Sequence, residues 1–432
     1  MSGLHICFFT DQHPRTLGGA QASVQLQRTF LERAGHTVTV VAPRSPVDPQ
    51  VADPGVVALP GPTVARGQYT AALPGRRLDA LVDRELGARG PVDLVHLQGD
   101  FWGAWLGKRF AARHGTPVVL TTHTNVDASF RAVAGPVAGI GLRAVAAWQR
   151  LVTGNRTRRS GLGAGYDYLR ALASGAAAVV APSTHFAARL EAAGVPVTAV
   201  VPTGVHDDDV RGLRAAGHGA GRHDRADDLP DQRAPRHPGD PVRVVWLSRF
   251  SAEKRPLELL DALAATGPRV EADLYGTGVL FERARRTVHA LGLTDRVRLH
   301  GAVGHAEALR AIAAADLLVQ TSQGFETQGM TVYEALALGV PVVVRDPDIA
   351  RELGDAAWVR HAPGRSAASL AGALDAAARA VGSDAAPRVP AAVSEGLLQS
   401  AQTRRLLDVY AGALRGPATG EATAPVTAAP RP

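Results

Sequence analysis

Two carboxylates and two cations carry the side-chain chemistry most apt for a phosphorylated, hydroxyl-rich ligand. Glu326 and Glu334 stand eight positions apart in the stretch DLLVQTSQGFETQGMTVYEALALGVPVVVRD, residues 316–346. Arg249 and Lys254 fall in Ser248-Arg249-Phe250-Ser251-Ala252-Glu253-Lys254-Arg255-Pro256. An arginine presents a planar fork to two oxygens, and a lysine presents a point charge. When a phosphate leaves, its negative charge grows, so fixed cations beside it favour the transition state. A carboxylate would repel phosphate but accept hydrogen bonds from hydroxyls, and a sugar nucleotide offers both groups. Read singly, each residue has a plainer account. Glu326 suits a helix start because of the dipole, Glu334 suits a solvated helix face, and the cations suit a charged surface.

The elements around these residues favour a ligand site. Leu317–Gln320 is a short apolar run and predicts a buried strand; Thr321–Gln328 is polar and predicts a loop. Met330–Leu338 has apolar residues at helical spacing, stopped by a left-handed cap at Gly339 and by Pro341. Pro341–Val344 predicts the next strand, completing a strand–loop–helix–strand unit of a parallel sheet. The backbone N–H groups of Gly329, Met330 and Thr331 would open that helix and face phosphate or sugar oxygens. Upstream, Val242–Leu247 predicts a strand and a helix runs to Ala265, which places Arg249 and Lys254 in the strand-to-helix loop. Val270–Tyr275 predicts another strand, with Gly276-Thr277-Gly278 at its end where a nucleotide could lie against backbone.

The first half of the chain repeats the pattern. Leu4–Phe9 predicts a strand, Asp11–Ala20 a loop with the pair Gly18-Gly19, and Gln21–Ala34 a helix. A glycine pair there suits close approach of N–H groups to an anion, or simply a tight turn. No G-x-G-x-x-G follows the strand, which argues against a dinucleotide-dependent dehydrogenase. His96 and Gln98 lie at the end of a strand predicted over Val92–Leu97, and His123 at the end of one over Pro117–Thr122. Polar residues at the carboxyl ends of parallel strands are where α/β sheets bind ligands. Further strands are predicted over Ala176–Ala181 and Val197–Val201, with a Ser-capped helix over Ser183–Ala193 between them.

Composition narrows the classes. At 432 residues the chain fits two domains of about 200. The single cysteine, Cys7, excludes a disulfide framework and a Cys-rich metal site and suits a reducing compartment. No basic leader precedes the first strand and no apolar run reaches 18 residues, so neither a signal peptide nor a spanning helix is expected. The net charge of +7 fits phosphorylated ligands or an anionic membrane. The arginines are dispersed and no nucleic-acid-binding pattern appears, so nucleic acid is not an expected partner. Residues 128–166 hold six arginines and no acid from Phe130 to Arg159. There the apolar residues from Leu142 to Val152, Trp148 among them, fall on roughly one helical face with Arg143 and Arg150 a heptad apart on another, which reads either as a helix lying on a membrane or as a basic solvent face. Residues 207–240 read as a linker whose histidines lack metal-ligand spacing, and residues 416–432 as a Pro-, Ala- and Thr-rich disordered tail.

Glu326-x7-Glu334-Ala335, followed by Gly339-Val340-Pro341-Val342-Val343, resembles the motif of retaining glycosyltransferase family 4. Val95-His96-Leu97-Gln98, Thr122-His123-Thr124 and Glu326-Thr327-Gln328-Gly329 resemble the branch that glycosylates diacylglycerol and related lipids. The family's usual phenylalanine before the glycine is Gln328 here. The resemblance implies the α/β GT-B fold, two doubly wound Rossmann-like domains facing a central cleft. It implies an acceptor-side domain over 1–205, a flexible linker over 206–240, a nucleotide-sugar domain over 241–392, and a helix over 393–415 crossing back to the first domain. By the same resemblance Arg249 and Lys254 hold the donor diphosphate, Glu326 the sugar hydroxyls and Glu334 the ribose, while His123 borders the sugar. Gly18, Gly19, Gly276, Gly278, Thr327, Gln328, Gly329 and Met330 complete the donor side. His96, Gln98, Arg143, Trp148 and Arg150 are the candidate acceptor and membrane contacts. The expected activity is hexose transfer from a nucleoside-diphosphate sugar to a lipid, with no cofactor and no metal, in the cytoplasm or peripherally on the membrane's cytoplasmic face. Transfer to a soluble or polysaccharide acceptor, a sugar-nucleotide epimerase of the same fold, and a non-catalytic membrane-binding protein stand as alternatives.

Overall fold

The computed structural model of the chain describes residues 3–16, 18–45, 53–64, 69–128, 147, 163–216, 240–383 and 386–416. Arg143, Trp148 and Arg150, most of the basic stretch, residues 217–239 of the expected linker, and the tail from 417 lie outside the described residues. The chain divides into two compact units. The first runs to Thr203 and takes in the segment from Gln399; the second spans Gly204–Leu398.

The first unit is built on a sheet of β1 (His5–Phe9), β2 (Thr37–Pro43) and β3 (Val56–Leu59), with a small antiparallel hairpin of β4 (Thr63–Val64) and β5 (Tyr69–Thr70) outside it. It continues through β6 (Leu94–Leu97), β7 (Val118–Thr121), β8 (Ala178–Ala181) and β9 (Ala199–Val200). The order is β3-β2-β1-β6-β7-β8-β9, and each neighbouring pair is parallel. All five residues of β1 are buried. Cys7 and Phe9 enter the core on one face, Ile6 and Phe8 the core on the other, as a parallel sheet covered on both sides requires. The helix Gln399–Arg415 packs Leu406, Tyr410 and Ala413 into the second of these cores.

The second unit holds β10 (Val242–Leu247), β11 (Val270–Tyr275), β12 (Val297–Gly301), β13 (Leu317–Gln320), β14 (Val342–Val344) and β15 (Val359–His361). Their order, β12-β11-β10-β13-β14-β15, is again all parallel. In both units the strand order reverses beside the first strand, between β1 and β6 and between β10 and β13. Such switch points leave a crevice at the carboxyl ends of the strands, where open α/β sheets take their ligands.

Most predicted elements form within a residue or two of their expected limits. The Ser183 hydroxyl caps its helix by accepting from the Phe186 N–H at 3.1 Å, and Gly339 adopts the expected left-handed conformation at φ 77°. Two expectations are corrected. Within the stretch read as linker, Asp207–Ala216 is a helix, because Val210 and Leu213 give it an apolar face that joins the core of the second unit. The helix expected over 393–415 is two helices, Ala391–Gly396 and Gln399–Arg415. Leu397 and Leu398 interrupt it because their backbone pairs with Val205 instead. Among the described residues, no helix is long and apolar enough to cross a membrane.

Candidate functional site

In the second unit the switch point gathers the residues the sequence singled out. The segment after β10 makes a short 3-10 turn, Ala252–Lys254, then passes through Arg255 into the helix Pro256–Ala265. Arg255 has φ 55°, the only left-handed non-glycine among the described residues. Pro256 disfavours right-handed helical geometry at Arg255, and a left-handed non-glycine costs about 1–3 kcal/mol. This bend leaves the Lys254 carbonyl facing the segment after β13. The Thr321 hydroxyl donates to that carbonyl at 2.6 Å and accepts from the Trp246 indole N–H at 2.8 Å. The two loops are therefore stitched together, and Lys254 Nζ lies 2.5 Å from Glu326 Oε1. Lys254 Nζ also lies 5.0 Å from the Phe325 ring centre, and the Ser322 hydroxyl donates to Glu326. Burial pushes the Glu326 carboxyl up, but the Lys254 charge and hydrogen bond, the Ser322 hydroxyl and the Arg249 charge outweigh it and hold the group below the usual range. Arg249 is exposed, with its guanidinium 3.2 Å from Glu253.

The remainder of the loop is pinned from the far side. Asp346 accepts from the Gly324 N–H at 2.7 Å with one oxygen and caps the helix Pro347–Leu353 with the other. Gly329, at φ 84°, precedes the helix Met330–Ala337, and no side chain caps that helix. A Cβ at Gly329 would come within 2.8 Å only of the movable tip of the Ile349 side chain, so it is the left-handed φ that calls for glycine in this turn. Thr327 and Met330 flank this turn, half-buried, and Gln328 is buried within it. Glu334 is not on a solvated face. It is 8% exposed, 3.8 Å from His305 Nδ1, and burial raises its pKa against the opposing pull of His305.

Gly276 and Gly278 lie where two loops approach closely. A Cβ on Gly276 would stand 1.9 Å from the Ser248 carbonyl oxygen, and one on Gly278 would stand 2.5 Å from that of Phe250. Phe250 N–H donates to the Thr277 carbonyl and Leu280 N–H to that of Phe250. These glycines let the loop after β11 lie against the loop that carries Arg249, which positions the cation.

In the first unit His123 follows β7 and is half-buried. Its backbone N–H donates to Asp100 Oδ2 at 3.1 Å, and its ring Nε2 meets Gln98 Oε1 at 2.7 Å. Desolvation lowers its pKa to about 4, so the ring is neutral near pH 7. His96 and Gln98 are corrected as acceptor contacts: they are 0% and 2% exposed. His96 spends Nδ1 on the Tyr410 hydroxyl at 2.6 Å and Nε2 on Thr121 Oγ1 at 2.7 Å, and burial lowers its pKa to about 3. They form the floor beneath His123. Gly18 precedes the helix Gly19–Arg33, so Gly19 opens that helix and the glycine pair does lie at its N-terminus.

Several residues escaped the sequence reading. Asp11 Oδ2 accepts from the N–H groups of Asp100 and Phe101, and its Oδ1 accepts from that of Gly103. Asp100 is buried, with no hydrogen bond to its Oδ1 among the described residues, and burial, aided by the Asp11 charge, raises its pKa to about 7; burial raises that of Asp11 to about 6. Ser322, four residues ahead of Glu326, had a recognisable signal in its spacing. His305 had only its place at the start of a helix, and Tyr410 had none, because it lies 314 positions from its partner His96.

Comparisons with known proteins bear on the family and the fold. Residues 17–209 match the model of Glycosyltransferase Family 4, and residues 228–377 match Glycosyl transferases group 1. The chain is 22% identical to the alpha-monoglucosyldiacylglycerol synthase of Acholeplasma laidlawii over 80% of this chain and 81% of that protein. It is 27% identical to the phosphatidyl-myo-inositol mannosyltransferase of Mycobacterium leprae over 85% of each. A shorter match, 32% identical, is to the UDP-N-acetylglucosamine–peptide N-acetylglucosaminyltransferase GtfA subunit of Streptococcus gordonii; it spans 25% of this chain and 21% of that protein. In structure the chain resembles Anabaena Alr3699/HepE, solved in complex with UDP and glucose. The TM-score is 0.60 at 19% identity, over 94% of this chain and 99% of that one.

Proposed function

Because this chain is a glycosyltransferase of the GT-B fold, made of a Glycosyltransferase Family 4 domain and a Glycosyl transferases group 1 domain, we propose that it moves a hexose from a nucleoside-diphosphate sugar to a membrane lipid. The hexose is of the glucose or mannose class, the acceptor is a lipid such as diacylglycerol or phosphatidylinositol, and the anomeric configuration is retained. The observation that carries this reading is the Lys254–Glu326 pair at the switch point of the second unit, with Arg249 on the same loop.

Each residue then has a role in chemical terms. Arg249 and Lys254 take the diphosphate and stabilise the charge that grows on it as the glycosidic bond breaks. Their positive charge meets the diphosphate without a metal ion. Glu326, kept ionised by its neighbours, accepts hydrogen bonds from sugar hydroxyls once the donor draws Lys254 to its phosphates. Glu334, buried beside His305, accepts from the ribose. His123 borders the sugar, and the acceptor hydroxyl attacks on the face from which the diphosphate leaves. The names of the two relatives matched over four-fifths of the chain support a lipid acceptor; with it we infer that the enzyme works at the cytoplasmic surface of a membrane.

The test is transfer into extracted lipid. UDP-glucose, UDP-galactose, UDP-N-acetylglucosamine and GDP-mannose are each offered with and without liposomes of diacylglycerol or phosphatidylinositol. A glycolipid formed from one donor and one lipid, with the donor's anomeric configuration by NMR, is the expected result. Nucleoside-diphosphate release that ignores liposomes would move the acceptor to a soluble molecule. Conversion of the nucleotide sugar with no release would mean an epimerase.

A further inference from the structure

We propose that Gln320 is a positioning residue for Glu326: acting through Ser322, it aims the Ser322 hydroxyl proton at the Glu326 carboxylate and so holds that carboxylate where the sugar meets it. The inference rests on the reading of Glu326 as the acceptor of hydrogen bonds from sugar hydroxyls.

The direction of each bond follows from backbone groups, whose roles do not depend on how a side-chain amide is turned. Gln320 ends β13 and is buried. At one end of its amide, Oε1 lies 3.2 Å from the backbone nitrogens of Arg345 and Asp346, which can only donate. At the other, Nε2 lies 2.9 Å from the Ser322 carbonyl oxygen, which can only accept. Turned the other way, the amide would set its nitrogen against two N–H groups and its oxygen against a carbonyl. The nitrogen therefore faces Ser322, and its contact with Ser322 Oγ at 2.7 Å makes the hydroxyl an acceptor there. A serine hydroxyl has a single proton. With Gln320 donating on one side, that proton goes to Glu326 Oε1, the oxygen that also meets Lys254.

The support for Gln320 comes from outside its own loop. Asp346 accepts from the Gly324 N–H at 2.7 Å, and Gln323 Nε2 donates to the Gly364 carbonyl at 2.8 Å. The segment that follows β13 is thus laced to the segments that follow β14 and β15 at residues 320, 323 and 324. Among these links, Gln320 is the one that reaches the carboxylate through a hydroxyl. When the donor draws Lys254 to its phosphates, the Ser322 bond stays, and a hydrogen bond to the charged form keeps Glu326 ionised.

The experiment uses the full chain labelled with 13C at the glutamate side-chain carboxyl, with Glu326→Gln made in each background to identify the Glu326 signal. Gln320→Met keeps the length of the side chain but neither donates nor accepts, and Ser322→Ala removes the hydroxyl. Each is expected to raise the pH at which Glu326 titrates. The double variant is expected to titrate no higher than Ser322→Ala alone, because Gln320 acts through the hydroxyl. In each single variant kcat/KM for the sugar donor is expected to fall about tenfold, with no further fall in the double variant, while the dissociation constant of UDP or GDP stays within about twofold. Gln320→Glu keeps an oxygen for Arg345 and Asp346; protonated it can still donate to Ser322, and ionised it cannot. Its kcat/KM relative to the parent is therefore expected to fall as pH rises, and this variant decides the case if Gln320→Met does not fold. The neighbouring charges, Arg345 with its partner Glu258, Asp346, Glu326 and Lys254, are the same in both proteins, so the ratio isolates position 320. A Glu326 titration unmoved by Ser322→Ala, losses that multiply in the double variant, or a Gln320→Glu ratio that is flat with pH overturns the inference. If the titrations shift as expected and transfer does not fall, the reading of Glu326 as holding the sugar fails, and the substrate half of the inference fails with it.

Discussion

Removal of Lys254 tests the packing of the donor loop before any substrate is known. Lys254 and Glu326 have side-chain exposures of 15% and 16% and are 2.5 Å apart, so their attraction is little screened by water. Lys254→Met keeps the aliphatic stem but leaves a mostly buried carboxylate. Its remaining help comes from the Ser322 hydroxyl and the more distant Arg249 charge. Breaking one side of a buried pair costs about 3–5 kcal/mol. With Ser322 still donating, the lower end is expected, about 3 kcal/mol. In a unit of about 200 residues each kcal/mol moves the midpoint by about 2–4 °C, so the expected fall is about 6–12 °C. The double variant Lys254→Met with Glu326→Gln removes both charges and should recover most of that loss. Thermal unfolding at pH 7.5 reads all three proteins. The sign with pH is also set. Glu326 has a lowered pKa in the folded parent, so its contribution is present above its unfolded value and is lost as pH falls through the folded one. Lys254→Met should erase that advantage, and its deficit against the parent should shrink in acid. A single variant within about 2 °C of the parent, or a double variant no better than the single, would refute the reasoning.

Two further outcomes follow from the same geometry. Gly276→Ala would place a Cβ 1.9 Å from a backbone carbonyl oxygen at φ 128°, so it should cost at least about 1–3 kcal/mol and lower the urea midpoint measurably; an unchanged midpoint would deny the close approach of the two loops. Asp100 has a folded pKa of about 7 against an ordinary value of 3.8, so its folded form takes up a proton and the parent loses stability as pH rises between these values. Asp100→Asn carries no such charge, and its stability relative to the parent, by urea unfolding, should rise from pH 5 to pH 8; a pH-independent difference would show that Asp100 does not titrate as its burial dictates.

The fold was largely legible because buried parallel strands read as short apolar runs and their helices end on glycine and proline, as at Gly339 and Pro341. The candidate-site residues stood out for a related reason: Arg249, Lys254 and Glu326 are polar residues in the loops that follow buried apolar strands. What the sequence withheld was pairing. Nothing in the spacing of Lys254 and Glu326 says that they meet, because 72 residues separate them and the bend at Arg255 and the Thr321 bridge bring them together. His96 and Gln98 look like surface residues at a strand end, yet they are buried because Tyr410 and Gln27 arrive from distant helices to satisfy them. The reading of Gly276 and Gly278 did not foresee that a neighbouring loop fills the space a side chain would need there. The helix Asp207–Ala216 was hidden by its acidic start and the polar sequence after it, with Val210 and Leu213 too few to announce an apolar face.

The central claim is that the Arg249–Lys254 loop binds the diphosphate of the donor. Calorimetric titration of the full chain with UDP and with GDP tests it most directly, in the parent, Arg249→Met and Lys254→Met. A hydrogen bond to a charged group contributes about 1.5–3 kcal/mol, which is about tenfold to a hundredfold in affinity. The account predicts that the parent binds one of the two nucleotides and that each variant binds it at least about tenfold more weakly while remaining folded. A parent that binds neither, or folded variants that bind as tightly as the parent, would contradict it.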